Sequence, residues 1–305
     1  MNGLILVDKE AGYTSFDAVA VVRRIFETRK AGHGGTLDPN ATGLLPVFLG
    51  NACALSSLIS GGDKVYEAEL LLGRSTDTDD IWGETLKELE VRCTEKEARK
   101  AVLSFVGTYE QLPPMYSARK SNGKKLYEYA RKGIEIERKA VPVRIDAIDI
   151  LSAELPYLRF RVRCEKGTYI RALCRDIGER LGLPACMSAL RRTKHGGFDV
   201  ADAYTVGALK EAKECGGLER LLIPTDRVLS RYPALKTKDT ADRLLMNGNR
   251  LLFEDLDTDQ IPEAPDGRLR IYDSKDQFRA LYHIDNEKDG LSPVKMFLNG
   301  DHQGQ

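Results

Sequence analysis

One carboxylate stands alone in the run Gly32-His33-Gly34-Gly35-Thr36-Leu37-Asp38-Pro39-Asn40-Ala41-Thr42-Gly43. Four glycines in this run let the backbone turn sharply and approach a ligand closely. Pro39 drives Asp38 towards an extended geometry and keeps a helix from forming through it. The expected product is a stiff loop that presents Asp38 to a cleft, where a carboxylate acts as a nucleophile or as a general base. The same composition also suits an ordinary Gly-rich turn closed by an Asx cap.

A loop of this kind needs rigid elements on both sides. Residues 3–8 read as a first strand. Thr14-Ser15-Phe16-Asp17 has capping-box spacing and opens a helix with Val19, Val22, Ile25 and Phe26 on one face. The apolar residues 44–49 anchor the loop from behind, and Pro46 predicts an edge or irregular strand there. Residues 64–72, with Tyr66, read as another strand. Thr94 and Glu97 cap a second helix with Ala98, Val102 and Phe105 inward. Residues 111–133 carry prolines, then basic and aromatic residues, and read as an excursion from the sheet. Leu158, Phe160, Val162 and Cys164 alternate with Arg159, Arg161 and Arg163, which predicts a half-buried strand with a basic outer face. Gly167-Thr168-Tyr169 turns into a helix ending near Gly182. Residues 224–239, with Pro224 and Pro233, read as a linker, and residues 240–305 as a small β-rich unit with strands at 268–273 and 277–284. Strands and helices do not alternate regularly, so the fold class is α+β.

The chain has 305 residues, 42% apolar and 30% charged. That suits one large globular unit, or a large and a small one. No apolar run approaches the roughly 18 residues of a membrane span. The first seven residues are too short for a signal segment, which points to the cytoplasm. Six cysteines show no Cys-x-x-Cys spacing and read as reduced and structural. The four histidines are too scattered for a metal site. Net charge is zero but uneven. Residues 116–144 hold nine Lys/Arg against three Glu, and residues 158–194 hold ten against three acids. Residues 254–289 hold eleven acids against five Lys/Arg. Two basic blocks in a chain with a candidate active-site loop favour a nucleic acid as partner.

The Gly32–Gly43 run resembles motif II of the TruB-type pseudouridine synthases, which modify uridine 55 in the T loop of tRNA. Further matches follow in the same order: Lys64-Val65-Tyr66; Gly73 with Thr76-Asp77-Thr78-Asp79-Asp80; Gln111-Leu112-Pro113-Pro114 with Ser117-Ala118-Arg119-Lys120; Lys166-Gly167-Thr168-Tyr169-Ile170-Arg171 with Asp176; and Leu190-Arg191-Arg192-Thr193. The resemblance covers about residues 1–200. The last segment is loosely similar to the small PUA-like domain that closes bacterial members.

The resemblance implies a mixed, mostly antiparallel central sheet over residues 1–232. An RNA-gripping insertion would lie at about 111–145, and a PUA-like unit at 237–305. It implies no cofactor, no metal and no obligate protein partner. The partner would be the T arm of tRNA, bound by a monomer away from membranes. Residue by residue, Asp38 would be the essential carboxylate and Arg171 its partner. Tyr66 would lie against the target base, with Tyr169 beside it. Leu190 would line the uracil pocket, and His33 would help hold the flipped-out base arrangement. Arg119, Lys120, Lys124 and Lys125 would meet the RNA backbone.

The chemistry suits these residue types. Making pseudouridine breaks the C1′–N1 bond and rejoins the ring through C5. One carboxylate suffices, where a glycosidase needs two. Unstacking the target costs a few kcal/mol, and aromatic stacking returns about 1–3 kcal/mol per base. Outside the resemblance the residues have plainer readings. Tyr66 and Tyr169 fit half-buried sheet and helix-start tyrosines, Arg171 a surface arginine, Leu190 plain core, and His33 a loop hydrogen-bond donor. Residues 76–80 look like a metal loop but lack EF-hand spacing. Two other functions fit parts of the chain: an RNA-binding protein without chemistry, and a glycoside hydrolase pairing Asp38 with Asp77 or Asp80.

Overall fold

A computed structural model describes residues 1–59, 61–117, 119–121, 123–258, 260–285 and 289–298. Strand β1 (Gly3–Lys9) is buried on both faces. Helix α1 (Ser15–Ile25) starts at Thr14, whose hydroxyl accepts the Asp17 N–H while the Asp17 carboxylate accepts the Thr14 N–H. Two orphan donors of the first turn are thereby satisfied. β2 (Ala31–His33) and β3 (Thr42–Leu49) bracket the Asp38 loop. After α2 (Ser56–Ile59) come β4 (Lys64–Leu72) and a small hairpin, β5 (Arg74–Thr76) with β6 (Thr85–Glu88). Helix α3 (Glu95–Leu103) has its own Thr94/Glu97 capping box, and β7 (Gly107–Gln111) follows. An excursion holds β8 (Lys120–Ser121), β9 (Lys124–Lys125) and α4 (Leu126–Ala130).

The chain returns through β10 (Val141–Glu154) and β11 (Tyr157–Cys164), then α5 (Ile170–Leu181). Gly182 ends α5 at φ 69°, the left-handed conformation that suits glycine at a helix C-terminus. β12 (Ala185–His195), β13 (Phe198–Asp199), α6 (Val206–Glu214) and α7 (Thr225–Val228) complete this part. The C-terminal part holds β14 (Ala234–Lys236), α8 (Asp242–Met246), β15 (Leu251–Leu252), β16 (Arg268–Tyr272), β17 (Phe278–Asp285) and β18 (Gly290–Met296).

Nine strands form the central sheet, in the order β1-β3-β12-β4-β11-β10-β7, with β2 on β3 and β13 on β12. Every pairing is antiparallel except β3 with β12, which touch at Thr42–Arg191 and Gly43–Arg192. The α+β class is the one read from the order of elements, and the mixed, mostly antiparallel sheet is the one the resemblance implies. The C-terminal strands form a second sheet, ordered β14-β16-β17-β18-β15, with its own core around Leu245, Leu269, Ile271 and Tyr282. No helix among the described residues is long and apolar enough to cross a membrane.

Two sequence expectations change, and a third is qualified. Pro46 does not sit on an edge: β3 has β1 on one side and β2 and β12 on the other. The Pro46 carbonyl accepts the Gly34 N–H at 2.9 Å just beyond the end of β2, so the missing donor faces the place where the ladder has already ended. Residues 224–239 are not a loose linker. Thr225, Leu229, Tyr232 and Leu235 are buried, and Leu229 and Tyr232 share a cluster with Leu4, Leu6 and Phe48 on one side and Leu281 and Phe297 on the other. The outer face of β11 is basic and exposed as expected, but its charge is partly offset. Arg161 pairs with Glu67 at 2.7 Å and Arg159 with Glu69 at 3.8 Å, both acids on β4. Other cations of the 158–194 block also have internal partners, including Arg175, Arg191 and Lys194.

Candidate active site

The Asp38 loop is clamped from three sides by side chains buried beneath it. Lys9, at the inner end of β1, donates to the carbonyls of Glu10, Tyr13 and Pro39 at 2.7–3.0 Å. Burial pulls its pKa down to about 8, against the opposing pull of the Asp38 carboxylate. The Ser15 hydroxyl donates to the Leu37 carbonyl at 3.1 Å and accepts the Leu37 N–H at 2.8 Å. Arg192, wholly buried on β12, donates to the carbonyls of Leu44, Gly35 and Thr36 at 2.7, 3.0 and 3.4 Å. Buried cations of this kind are tolerated because each finds acceptors that converge on it.

Asp38 itself remains open. Its side chain is 37% exposed, while that of Arg171 is 6% exposed. The guanidinium grips the carboxylate at both oxygens: Nε to Oδ2 at 2.9 Å and Nη2 to Oδ1 at 3.2 Å. This two-point geometry is what a planar guanidinium supplies and an ammonium cannot. Arg171 also donates to the Thr78 and Tyr116 carbonyls, each at 2.8 Å, and lies 3.7 Å from Asp80. It therefore ties the Asp38 loop to the 76–80 turn and to the base of the basic excursion.

That turn is a brace. Asp80 accepts from the Thr78 hydroxyl at 2.7 Å and from the Trp82 N–H at 3.2 Å. Asp77 accepts the Glu84 N–H at 2.7 Å. Asp79, at φ 62°, meets Arg175 at 2.9 Å, and Arg175 also meets Asp176 at 2.8 Å. Burial raises the pKa of Asp79, Asp80 and Asp176, and the neighbouring arginines oppose the rise. Asp77 and Asp80 are thus engaged in holding the turn, which leaves little for the two-carboxylate glycosidase reading.

Leu37 and Ala41 belong to the same buried cluster as Tyr66, Ile170 and Leu190, so the loop, β4, α5 and β12 meet around one apolar wall. Burial pushes the Tyr66 hydroxyl above its ordinary pKa, with Arg192 opposing. Tyr169 is half-buried at the start of α5. Its N–H donates to Gln111 Oε1 at 2.9 Å and its carbonyl accepts from Gln111 Nε2 at 3.0 Å. His33, half-buried on β2, packs edge-on against Phe16 with ring centroids 5.3 Å apart. Burial and the Arg192 charge lower its pKa, so its ring is neutral at pH 7.

The basic residues sit apart on the excursion. Arg119 and Lys124 are exposed and have no carboxylate partner among the described residues. The Lys125 ammonium lies 5.4 Å from the Tyr127 ring centre, and Arg131 lies 5.2 Å from it. Ala118 and the side chain of Lys120 lie outside the described residues.

Sequence reasoning gave no site role to Lys9, Ser15, Gln111, Arg175 or Arg192, although Gln111 and Arg192 lie in the matched motifs and Ser15 in the capping box. Two left a usable signal. Lys9 closes a strand that is otherwise mostly apolar, and Arg192 falls in the same inward phase of its strand as Leu190.

His195 lies below the loop. A Cβ placed on Gly35 would come within 3.1 Å of its ring. The ring is wholly buried, neither nitrogen has a hydrogen-bond partner among the described residues, and Arg192 and Lys64 are its charged neighbours. Burial, then those two cations, pull its pKa down to about 3. The unfolded chain titrates this group near 6.5, so it binds the extra proton first as pH falls. The stability from the neutral ring is complete above about pH 6.5 and is lost towards pH 3, about 3 kcal/mol by pH 4. His195→Leu is expected to flatten the acid side of the stability curve. Thermal melts of both proteins between pH 6.5 and 4 check this, and parallel curves would refute it.

Residues 23–170 match the family described as "TruB family pseudouridylate synthase (N terminal domain)", and residues 171–230 match "tRNA pseudouridylate synthase B C-terminal domain". The chain is 45% identical to tRNA pseudouridine synthase B of Lachnoclostridium phytofermentans, over 98% of this chain and all of that one. It is 44% identical to the protein of the same name from Alkaliphilus oremlandii, over 97% of each chain. Among solved structures, a chain of a Cbf5-Nop10-Gar1 complex superposes with a TM-score of 0.70 at 26% identity, over 98% of this chain and 86% of that one.

Proposed function

The chain belongs to the TruB family of pseudouridylate synthases, and on that premise we propose that it isomerises uridine 55 in the T loop of tRNA with Asp38 as the one reacting carboxylate. It is a pseudouridine synthase, an isomerase. The observation that supports the assignment of Asp38 is the two-point grip of a nearly buried Arg171 on a carboxylate left open to solvent. A carboxylate that served only to neutralise Arg171 would be expected to be as buried as its partner.

In the reaction the C1′–N1 bond breaks, the uracil turns, C5 bonds to C1′, C5 loses its proton and N1 gains one. Asp38 either attacks C1′ or removes the C2′ proton, and both roles need an open carboxylate at a fixed point. Tyr66 and Leu190 supply the apolar wall for the turning ring, Tyr169 borders it, and His33 helps hold the flipped-out base arrangement. The partner is the T arm of tRNA, taken up by a monomer without an obligate protein partner, in the cytoplasm. Residues 1–232 act as the catalytic unit and 237–305 as an accessory β module, to whose sheet β14 just before it adds an edge strand. A T-arm hairpin carrying 5-tritiated uridine tests the reading. Tritium release, with the product mapped to the position of uridine 55 alone, is the expected result. Modification elsewhere, or none, overturns it.

Arg119, Lys120, Lys124 and Lys125 grip the backbone of the T stem. Replacing all four with Ala is expected to weaken hairpin binding and to lower the slope of log K against log salt by roughly 0.9 for each phosphate left unneutralised, taking duplex DNA as guide. A titration from low to moderate salt measures the slope; an unchanged one would mean these side chains only face solvent.

A further inference from the structure

Phe16 is the most exposed large apolar side chain among the described residues, 71% accessible to solvent. It takes no part in the core: the α1 face that packs inward is made by Ala18, Val19, Val22 and Ile25. Exposed apolar residues are common singly, so exposure alone says little. What distinguishes Phe16 is its surroundings.

The segment that carries it is fastened to the Asp38 loop at three points. The Gly12 N–H donates to the Pro39 carbonyl at 3.0 Å. The Lys9 ammonium bridges the Tyr13 and Pro39 carbonyls. The Ser15 hydroxyl holds both backbone groups of Leu37. Residues 12–16 and 37–39 are therefore joined by hydrogen bonds, and the first turn of α1 lies against the Asp38 loop. There the Phe16 ring meets the His33 ring edge-on, 79° between planes, and keeps its face open to solvent.

We propose that Phe16 is a stacking platform for a base that leaves its stack in the bound RNA loop, forming with His33 a two-ring seat beside the target uridine. This rests on the reading of the chain as a synthase acting on the T loop. Removing one base from a compact loop leaves neighbours without a stacking face, and single-stranded bases are commonly held on aromatic rings. An exposed aromatic ring on a segment hydrogen-bonded to the Asp38 loop offers such a face. Stacking accepts any base, so Phe16 contributes affinity and register with little sequence preference.

The test uses the full chain and a set of T-arm hairpins, one intact and the others each lacking a single loop base. Dissociation constants and steady-state rates are measured for the native protein and for Phe16→Leu and Phe16→Trp. Phe16→Leu is expected to bind the intact hairpin about 5- to 160-fold more weakly, the range for one base–aromatic stack. The loss should fall on KM, with kcat kept. Phe16→Trp should restore affinity. One abasic position should weaken the native protein while leaving Phe16→Leu unaffected, a coupling that a structural role for Phe16 would not produce. Unchanged affinity in Phe16→Leu, or the same loss at every abasic position in both proteins, overturns the proposal. Conversion of the intact hairpin by the native protein, read in the same assay, reports separately on the synthase reading. Binding data alone decide the role of Phe16 even if that conversion fails.

Discussion

Asp38→Asn is expected to abolish pseudouridine formation while hairpin affinity stays within about threefold of native. The amide keeps the size and shape of the side chain and removes the charge and basicity on which attack or proton removal depends. Loss of a positioned base alone costs roughly 10²–10⁴-fold, and loss of a nucleophile more. The fold should survive. Arg171 keeps the Thr78 and Tyr116 carbonyls and its neighbour Asp80, so its charge is not abandoned in the interior. The loop keeps the hydrogen bonds of Lys9, Ser15 and Arg192, all of them to backbone groups rather than to the carboxylate. Single-turnover tritium release and a binding isotherm on one hairpin check both halves. Turnover above about a hundredth of native would remove Asp38 from the chemistry.

The parts of this site that are legible in the sequence are those set by local rules. Gly32–Gly43 announces a loop because glycine spacing and Asp-Pro act within a few residues. Both capping boxes, at Thr14 and Thr94, are readable because the partner lies three positions away. The alternation of β11 holds in the fold for the same reason. What fails depends on distant partners. The face of Arg159 and Arg161 looks like an RNA surface until β4 brings Glu67 and Glu69 across it. The 224–239 segment looks like a linker because its prolines are visible in sequence, whereas the pocket made by Leu4, Phe48 and Phe297 is not. Arg192 and Lys9 escape notice because a buried cation is costly unless acceptors converge on it, and for Arg192 the acceptors are carbonyls of a loop some 150 residues away. Side-chain identity tells more about the open carboxylate than about the buried groups that aim it.

Arg171→Lys should do more damage than its conservative appearance suggests, and of a different kind from Asp38→Asn. The guanidinium serves four acceptors from one plane: both Asp38 oxygens and the carbonyls of Thr78 and Tyr116. An ammonium has three N–H bonds on a single atom and cannot reach acceptors that lie on different sides of the fork. At least one carbonyl would lose its partner, and the open Asp38 carboxylate would lose its second contact to a guanidinium that is itself nearly buried. Losing a hydrogen bond from a buried charged donor costs about 1.5–3 kcal/mol, and releasing Asp38 from its two-point grip should lower kcat by at least about a hundredfold. Because the Tyr116 carbonyl lies at the root of the basic excursion, RNA affinity should also fall. The two substitutions are therefore expected to separate cleanly. Asp38→Asn lowers kcat alone, whereas Arg171→Lys lowers kcat, RNA affinity and melting temperature together. Parallel measurement of the three quantities decides it. An Arg171→Lys protein with native melting temperature and native affinity would mean that the loop, the 76–80 turn and the excursion are held in place by other interactions.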